Sequence, residues 1–196
     1  MPRIRIGTAL LILLLATGSG AMADDPDWQV RETSGTVRIL PVLDPDDRWS
    51  RVETGDLVGV MNFLKTGRKG EVILVQADNR IRLSSGTLLE FPASDPHPGR
   101  DIYQTTGRAT YTITGPDPVR IVTPWLVSTT TWGAVTVTVE NGFATVEAHH
   151  GEPIVVSRFT GRATVLDPDQ MVRVDGRKET LFQATVEQAT RRPVLD

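Results

Sequence analysis

Cysteine is absent from the chain, which excludes disulfide staples, thiolate metal sites, a thiol nucleophile and the lipid-bearing cysteine of a bacterial lipoprotein. Stability must come from a packed core. Basic charge is not in surplus either: 21 Lys and Arg face 24 Asp and Glu, for a net charge of −3. That excludes a protein that grips nucleic acid by neutralising phosphates. No segment reaches the roughly 18 consecutive apolar residues that mark a membrane-spanning helix. Aromatic residues make up only 6% and histidine occurs three times, so few side chains are free for stacking on a ligand or for metal ligation. What is present, 39% hydrophobic residues with 17 Gly and 13 Pro, suits one globular domain or two small ones.

The familiar catalytic signatures are missing as well. There is no Gly-x-Ser-x-Gly elbow, no His-Glu-x-x-His pair, no glycine loop followed by Lys to cradle phosphate and no dinucleotide fingerprint. His149 and His150 are adjacent, so on a strand they face opposite sides and do not share a metal. With Gly151 they read as a solvated turn. Asp44-Pro45-Asp46-Asp47 and Asp167-Pro168-Asp169-Gln170 lack the glycine and bidentate Glu of a calcium loop and read as surface turns. No catalytic residue, metal or cofactor is expected, and the chain is read as non-enzymatic. A hydrolase would need convergent carboxylates or a Ser–His pair, which three histidines make easy to check by geometry.

The amino terminus differs from the rest. Arg3 and Arg5 precede an apolar stretch from Ile6 to Ala16, Gly18-Ser19-Gly20 ends it, and Ala21-Met22-Ala23 supplies small residues at both key positions. This is the pattern of a cleavable secretory signal peptide, too short to span a bilayer. Cleavage after Ala23 would leave 173 residues with 19 basic and 24 acidic side chains, a net charge of −5. A periplasmic or secreted soluble protein follows, with a β-domain over 24–176 and a tail over 177–196.

From about Val30 to Val174, short alternating apolar and polar runs recur between Gly, Pro, Asp and Asn, which is strand periodicity. Val37–Leu40, Leu57–Leu64, Glu71–Val75, Arg80–Leu83, Thr87–Phe91, Ala109–Thr114 and Val119–Val122 read as strands, rich in the Val and Thr that a pleated surface favours. Asn141-Gly142 predicts a two-residue hairpin turn with positive φ at both positions. That register sets Val139 against Ala144, Val137 against Val146 and Val135 against Ala148, with Thr136, Thr138, Thr145 and Glu147 on the other face. Thr-Gly-Arg occurs at Thr66, Thr106 and Thr160, each time before a strand-like run, and reads as a repeated turn. Asp95-Pro96-His97-Pro98-Gly99 and Gly115-Pro116-Asp117-Pro118 read as loops. Lys178–Arg192 has helical propensity, with Leu181, Ala184 and Gln188 on one side. The expected fold is all-β: about a dozen short, mainly antiparallel strands in two packed sheets or a β-solenoid-like stack, with a short C-terminal helix.

Exposed tryptophan would mark a binding surface. Of Trp28, Trp49, Trp125 and Trp132, Trp49 and at least one of Trp125 and Trp132 are expected to anchor the core, and Trp28 to be exposed.

These residues resemble the FecR domain. Trp49…Gly55-Asp56-Leu57 followed by Leu64-Lys65-Thr66-Gly67-Arg68-Lys69-Gly70-Glu71-Val72-Ile73-Leu74 is similar to its opening, a Gly-Asp turn leading to a Thr-Gly turn and a buried strand. Leu83-Ser84-Ser85-Gly86-Thr87-Leu88-Leu89 looks like its next strand pair and Thr105-Thr106-Gly107-Arg108-Ala109 like its central glycine turn. Val122-Thr123-Pro124 resembles the segment before its Gly-Thr-x-Phe motif, which falls on Gly133-Ala134-Val135-Thr136. Val146–Val156, with Gly151 at the turn, resembles its later hairpin, and Asp169-Gln170 its closing Gly-Gln. The chain departs from the family at Asp78-Asn79, where Asp-Gly is usual, and keeps only the glycine of Gly-Thr-x-Phe.

In the family's best-known members a cytoplasmic segment holds a sigma factor, a membrane helix follows, and the periplasmic FecR domain receives a signal from a TonB-dependent outer-membrane transporter. The resemblance implies a standalone exported domain without the first two parts. Its function is then protein interaction or signal reception in the envelope, with an envelope protein as partner, an outer-membrane receptor or its signalling component. Strand addition at an exposed edge is a natural mode. Candidate contacts are Arg68, Lys69, Arg100, Trp28, Trp125 and Trp132, with Asp101 beside Arg100 and His149-His150 in a loop of their own. The alternative is a module that binds glycan or another envelope polymer through exposed tryptophan.

Overall fold

The computed structural model describes residues 27–44, 46, 48–93, 101–176 and, for the backbone, 180–185. The signal-peptide reading, Asp95–Arg100 and most of the tail lie outside these. Seventeen strands are present and no helix among the described residues. They form one hydrogen-bonded network that is not closed on itself and folds into two layers. Layer A is ordered β4 (Leu57–Val58), β1 (Trp28–Ser34), β6 (Glu71–Gln76), β7 (Asn79–Leu83), β9 (Asp101–Ile113), β12 (Gly133–Glu140), β13 (Phe143–His150), β16 (Gln170–Asp175), β17 (Thr180–Thr185). Layer B is ordered β3 (Ser50–Arg51), β2 (Val37–Pro41), β5 (Asn62–Thr66), β8 (Leu88–Phe91), β9, β10 (Val119–Val122), β11 (Leu126–Thr130), β14 (Ile154–Ser157), β15 (Ala163–Val165). All pairs are antiparallel except β9 with β10. The two expected architectures merge here, since the layers face each other while the chain shuttles between them.

The strand β9 belongs to both layers. Asp101–Thr106 pairs with β8 and β10, and Gly107–Ile113 with β7 and β12. A register shift between Leu88 and Leu89 and a φ of 88° at Gly107 bend it. A side chain at Gly107 would collide with the Thr87 backbone, so glycine is required there. Thr106-Gly107-Arg108, predicted as a turn between strands, is a bend within one.

One core fills the space between the layers. From layer A it takes Val30, Leu74, Ile81, Tyr111, Val137 and Val146, and from layer B Leu64, Leu89, Ile102, Ile121, Leu126 and Val155, all buried. Burying each large aliphatic side chain contributes about 1.5–3 kcal/mol. The layers also meet through polar groups. Tyr111 donates from its hydroxyl to Gln104 Oε1 (2.9 Å), and Gln104 Nε2 donates to the carbonyls of Gly107 (2.9 Å) and Val137 (3.1 Å). Burial pushes the Tyr111 hydroxyl pKa far above its ordinary value.

The hairpin of β12 and β13 has the predicted register, Val139 opposite Ala144, Val137 opposite Val146 and Val135 opposite Ala148. Its turn differs: Gly142 has a φ of 101°, whereas Asn141 is not in the left-handed region. The predicted strand Leu57–Leu64 is two strands, because Met61 adopts a φ of 61° and donates its N–H to the Phe91 carbonyl (2.6 Å). The helical reading of the tail fails over Thr180–Thr185, which extend layer A as β17 alongside β16. The free backbone groups of β16 outweigh local propensity.

Candidate functional site

Two stacks of corners carry the chain between the layers. In the first, Gly67 N–H donates to Thr36 O (2.7 Å) and Gly86 N–H to Gly67 O (3.2 Å). Thr66 Oγ1 accepts the Thr87 N–H (2.8 Å), and Thr87 Oγ1 accepts the Arg108 N–H (3.0 Å). This explains two of the three Thr-Gly-Arg runs: Thr66-Gly67-Arg68 and Thr106-Gly107-Arg108 are neighbouring corners. Thr160-Gly161-Arg162 is instead the hairpin turn between β14 and β15, with Gly161 N–H donating to Ser157 O (3.0 Å). In the second stack Gly133 lies against the His150 carbonyl and Gly151 against that of Trp132, too close in each case for a side chain. The glycine kept from Gly-Thr-x-Phe is thus a contact between corners. Gly151 is a turn, as expected, but β13 and β14 lie in different layers and form no hairpin.

The predicted contact residues separate. Arg68 and Lys69 are exposed at the first stack of corners, Trp132 is 63% exposed at the second, and Arg100 lies outside the described residues. Trp28 is only 2% exposed, with its ring centroid 6.5 Å from that of Phe91. It opens β1 on the inward phase shared with Val30, so nearness to the chain end misleads. Trp125 is half-buried against the core, its indole over Gly176. Trp49 is not the expected core anchor; it stands half-buried beside β3, with Lys65 Nζ 5.9 Å from its ring centroid.

The histidines lie on β13 rather than in a turn. His149 Nε2 is 2.8 Å from Thr136 Oγ1, and Nδ1 is 3.8 Å from Glu147 Oε1. Among the described residues no group of His, Asp or Glu side chains has metal-site geometry. Asp101 opens β9 and pairs with Arg120 (3.3 Å). Asn79, at the Asp78-Asn79 departure, accepts the N–H groups of Thr114 (2.9 Å) and Gly115 (3.2 Å) through Oδ1. That position therefore holds the connection from β9 to β10.

Residues opposite one another on paired strands point to the same side, and on the outer face of layer B this builds two rows. One runs Leu40, Phe63, Glu90, Tyr103, Val122, Val127, Val156, Ala163 across eight strands. It is apolar apart from Glu90 and the Tyr103 hydroxyl, and at strand spacing about 30–35 Å long. The second runs Arg51, Arg38, Lys65, all exposed. Thr36, Arg38, Trp49, Lys65 and Gly67 line a cleft of about 220 Å³ there. A larger shallow cleft, about 450 Å³, lies at the second stack of corners between Thr131, Trp132, Gly151, Glu152 and Pro168. Neither row was foreseen in the sequence.

No family model matches the chain, and no curated protein does. Among solved structures, two crystal structures of a candidate anti-sigma factor from Parabacteroides distasonis ATCC 8503, at 1.65 Å and 2.50 Å resolution, are similar in fold. Their TM-scores are 0.55 and 0.54, each at 13% identity over 63% of this chain. The match spans 59% of the length of those chains. At this identity the likeness is one of fold, over the matched part of the chain, with a protein described as a candidate anti-sigma factor.

Proposed function

We propose that the protein is an exported, non-enzymatic FecR-type β-domain that serves as an interaction or signal-receiving module in the bacterial envelope. The observation that carries this reading is the outer face of layer B, where a half-buried apolar row crosses eight strands beside three cations that have no ion-pair partner among the described residues. Apolar patches of this extent suit docking of another protein. The fold shared with the candidate anti-sigma factor supports a signalling context, and the leader pattern at the amino terminus supports the periplasm.

The test is capture from envelope extract with the wild-type protein and with Val127→Arg on layer B and Thr138→Arg on layer A. One partner retained by wild type and Thr138→Arg but lost with Val127→Arg is the expected result. Loss with both variants, or with neither, overturns the reading.

A second reading, a module for glycan or another envelope polymer, is favoured by Trp132, the one tryptophan largely exposed and beside a cleft. Co-sedimentation with insoluble cell-wall polymer that Trp132→Ala abolishes would support it; absence of co-sedimentation rejects it.

A further inference from the structure

We propose that Arg51, Arg38 and Lys65, together with Trp49, form a docking site for an acidic amphipathic helix of a protein partner. This rests on the interaction reading above and gives the partner its chemistry. Arg38 stands directly opposite both Arg51 and Lys65, so three cations share one cross-strand row. Like charges so placed repel and destabilise a sheet. Among the described residues none of the three has an ion-pair partner, and Arg68 and Lys69 at the adjoining corner have none either. Four other strand cations have a carboxylate partner: Arg82 with Glu71 (3.1 Å), Arg108 with Glu147 (3.5 Å), Arg120 with Asp101 (3.3 Å) and Arg173 with Asp175 (3.7 Å); Arg31 and Arg80 have none among the described residues but face no cation across their strand pairs. No other strand pair among the described residues sets two cations directly opposite one another, and a row that breaks a rule kept elsewhere marks a functional surface.

The spacing selects the ligand. Opposed residues of neighbouring strands lie about 4.5–5.5 Å apart, and side chains three or four residues apart on a helix about 5–6 Å. Carboxylates along one helical edge therefore meet successive cations in register. Same-side residues of an extended peptide are about 6.6 Å apart and drift out of step. Leu40 and Phe63 lie two residues farther along the same strands, on the same face, where they receive the apolar stripe beside the acidic edge. Glu90, opposite Phe63, repels an acidic residue set over it and so limits the register. The cleft between Trp49, Arg38 and Lys65 admits one carboxylate, with the Arg38 guanidinium able to hold it through two hydrogen bonds.

The probe is an alanine-based helical peptide bearing three Glu at alternating i+4 and i+3 spacing, each followed by Leu. Its controls are a peptide of the same composition in permuted order and phosphatidylglycerol vesicles. Titration at low salt, followed by calorimetry and Trp fluorescence, should show saturable binding to the patterned helix at least about tenfold tighter than to the permuted one. Arg38→Glu and Lys65→Glu should each weaken it by about tenfold or more with unchanged circular dichroism, and Arg82→Glu on layer A should leave it unaltered. Equal binding of both peptides, no binding of the patterned helix, or full binding by both layer B variants overturns the proposal. So does vesicle binding that the layer B variants abolish, because the row would then serve lipid headgroups. Capture of a partner that depends on Val127 but not on Arg38 would reject this site while leaving the interaction reading intact.

Discussion

The two outer faces are made by the same strand alternation, yet they treat charge and apolar surface differently. On layer A, Thr110 and Thr136 hydrogen bond at 2.9 Å, Thr136 reaches His149 at 2.8 Å, and Arg82, Arg108 and Arg173 each have a carboxylate partner. Arg31 and Arg80 on the same face have no ion-pair partner among the described residues, but neither stands opposite another cation. On layer B only Arg120 and Asp101 form an ion pair among the described residues, three cations stand in a row, and apolar side chains point away from the core. Folding alone needs only the inner faces to be apolar. The outer faces differ in one respect: layer B sets three cations in a cross-strand row, and layer A has no such row.

The sharpest way to break this comparison is to remove the bend that creates two faces from one strand. Gly107→Val places a side chain against the Thr87 backbone at a φ of 88° and should cost about 3 kcal/mol or more, read as a lowered urea midpoint or as failure to fold. A smaller effect is expected at the link between the layers. Tyr111→Phe leaves Gln104 Oε1 without its donor, a loss of about 1–3 kcal/mol at neutral pH. The pH dependence has a definite sign. Because burial raises the Tyr111 pKa above the ordinary 10.0, its contribution is complete below pH 10 and falls as the pH rises above it, where the unfolded chain ionises first. Urea midpoints measured across that range should fall more steeply for wild type than for Tyr111→Phe.

The smallest effects carry opposite signs on the two faces. Arg38→Ser relieves repulsion along its row and should raise stability by roughly 0.5 kcal/mol at low salt. Arg82→Ser breaks an exposed ion pair and should lower it by roughly 0.3 kcal/mol. Both differences should shrink as salt is added. Equal signs in chemical denaturation would erase the distinction between the faces.

Much of the fold was legible because it is local. Alternation in Glu71–Val75 and Arg80–Leu83 and the Asn141-Gly142 turn located β6, β7 and the β12–β13 hairpin, since turn chemistry and periodicity act within a few residues. What required distant pairing was hidden. Thr105-Thr106-Gly107 has the composition of a loop, and only Thr87, a whole strand away, makes it a bend inside β9. Trp28 looked terminal and is core, because β6 is there to receive β1. The cation row was the least visible feature. Arg38, Arg51 and Lys65 belong to three separate strands and become neighbours only when β2 pairs with both β3 and β5. The signal for it, cations on the outward phase of Val-Arg-Ile-Leu and Phe-Leu-Lys-Thr, could be used only once those pairings were known. Arg68 and Lys69, exposed at the adjoining corner, were legible only as loop residues and not as neighbours of that row.

The shared strand also governs how the molecule comes apart. Asp101–Ile113 has partners on both sides in each layer, so fraying that starts at any of the outer strands β3, β4, β15 or β17 meets β9 before it can divide the protein. Each layer takes its central member from its own part of one thirteen-residue strand, Asp101–Thr106 in layer B and Gly107–Ile113 in layer A, so the two layers are joined directly at the Gly107 bend. The two layers are thus a single cooperative unit, and a force or ligand that displaces β9 on one face is felt on the other.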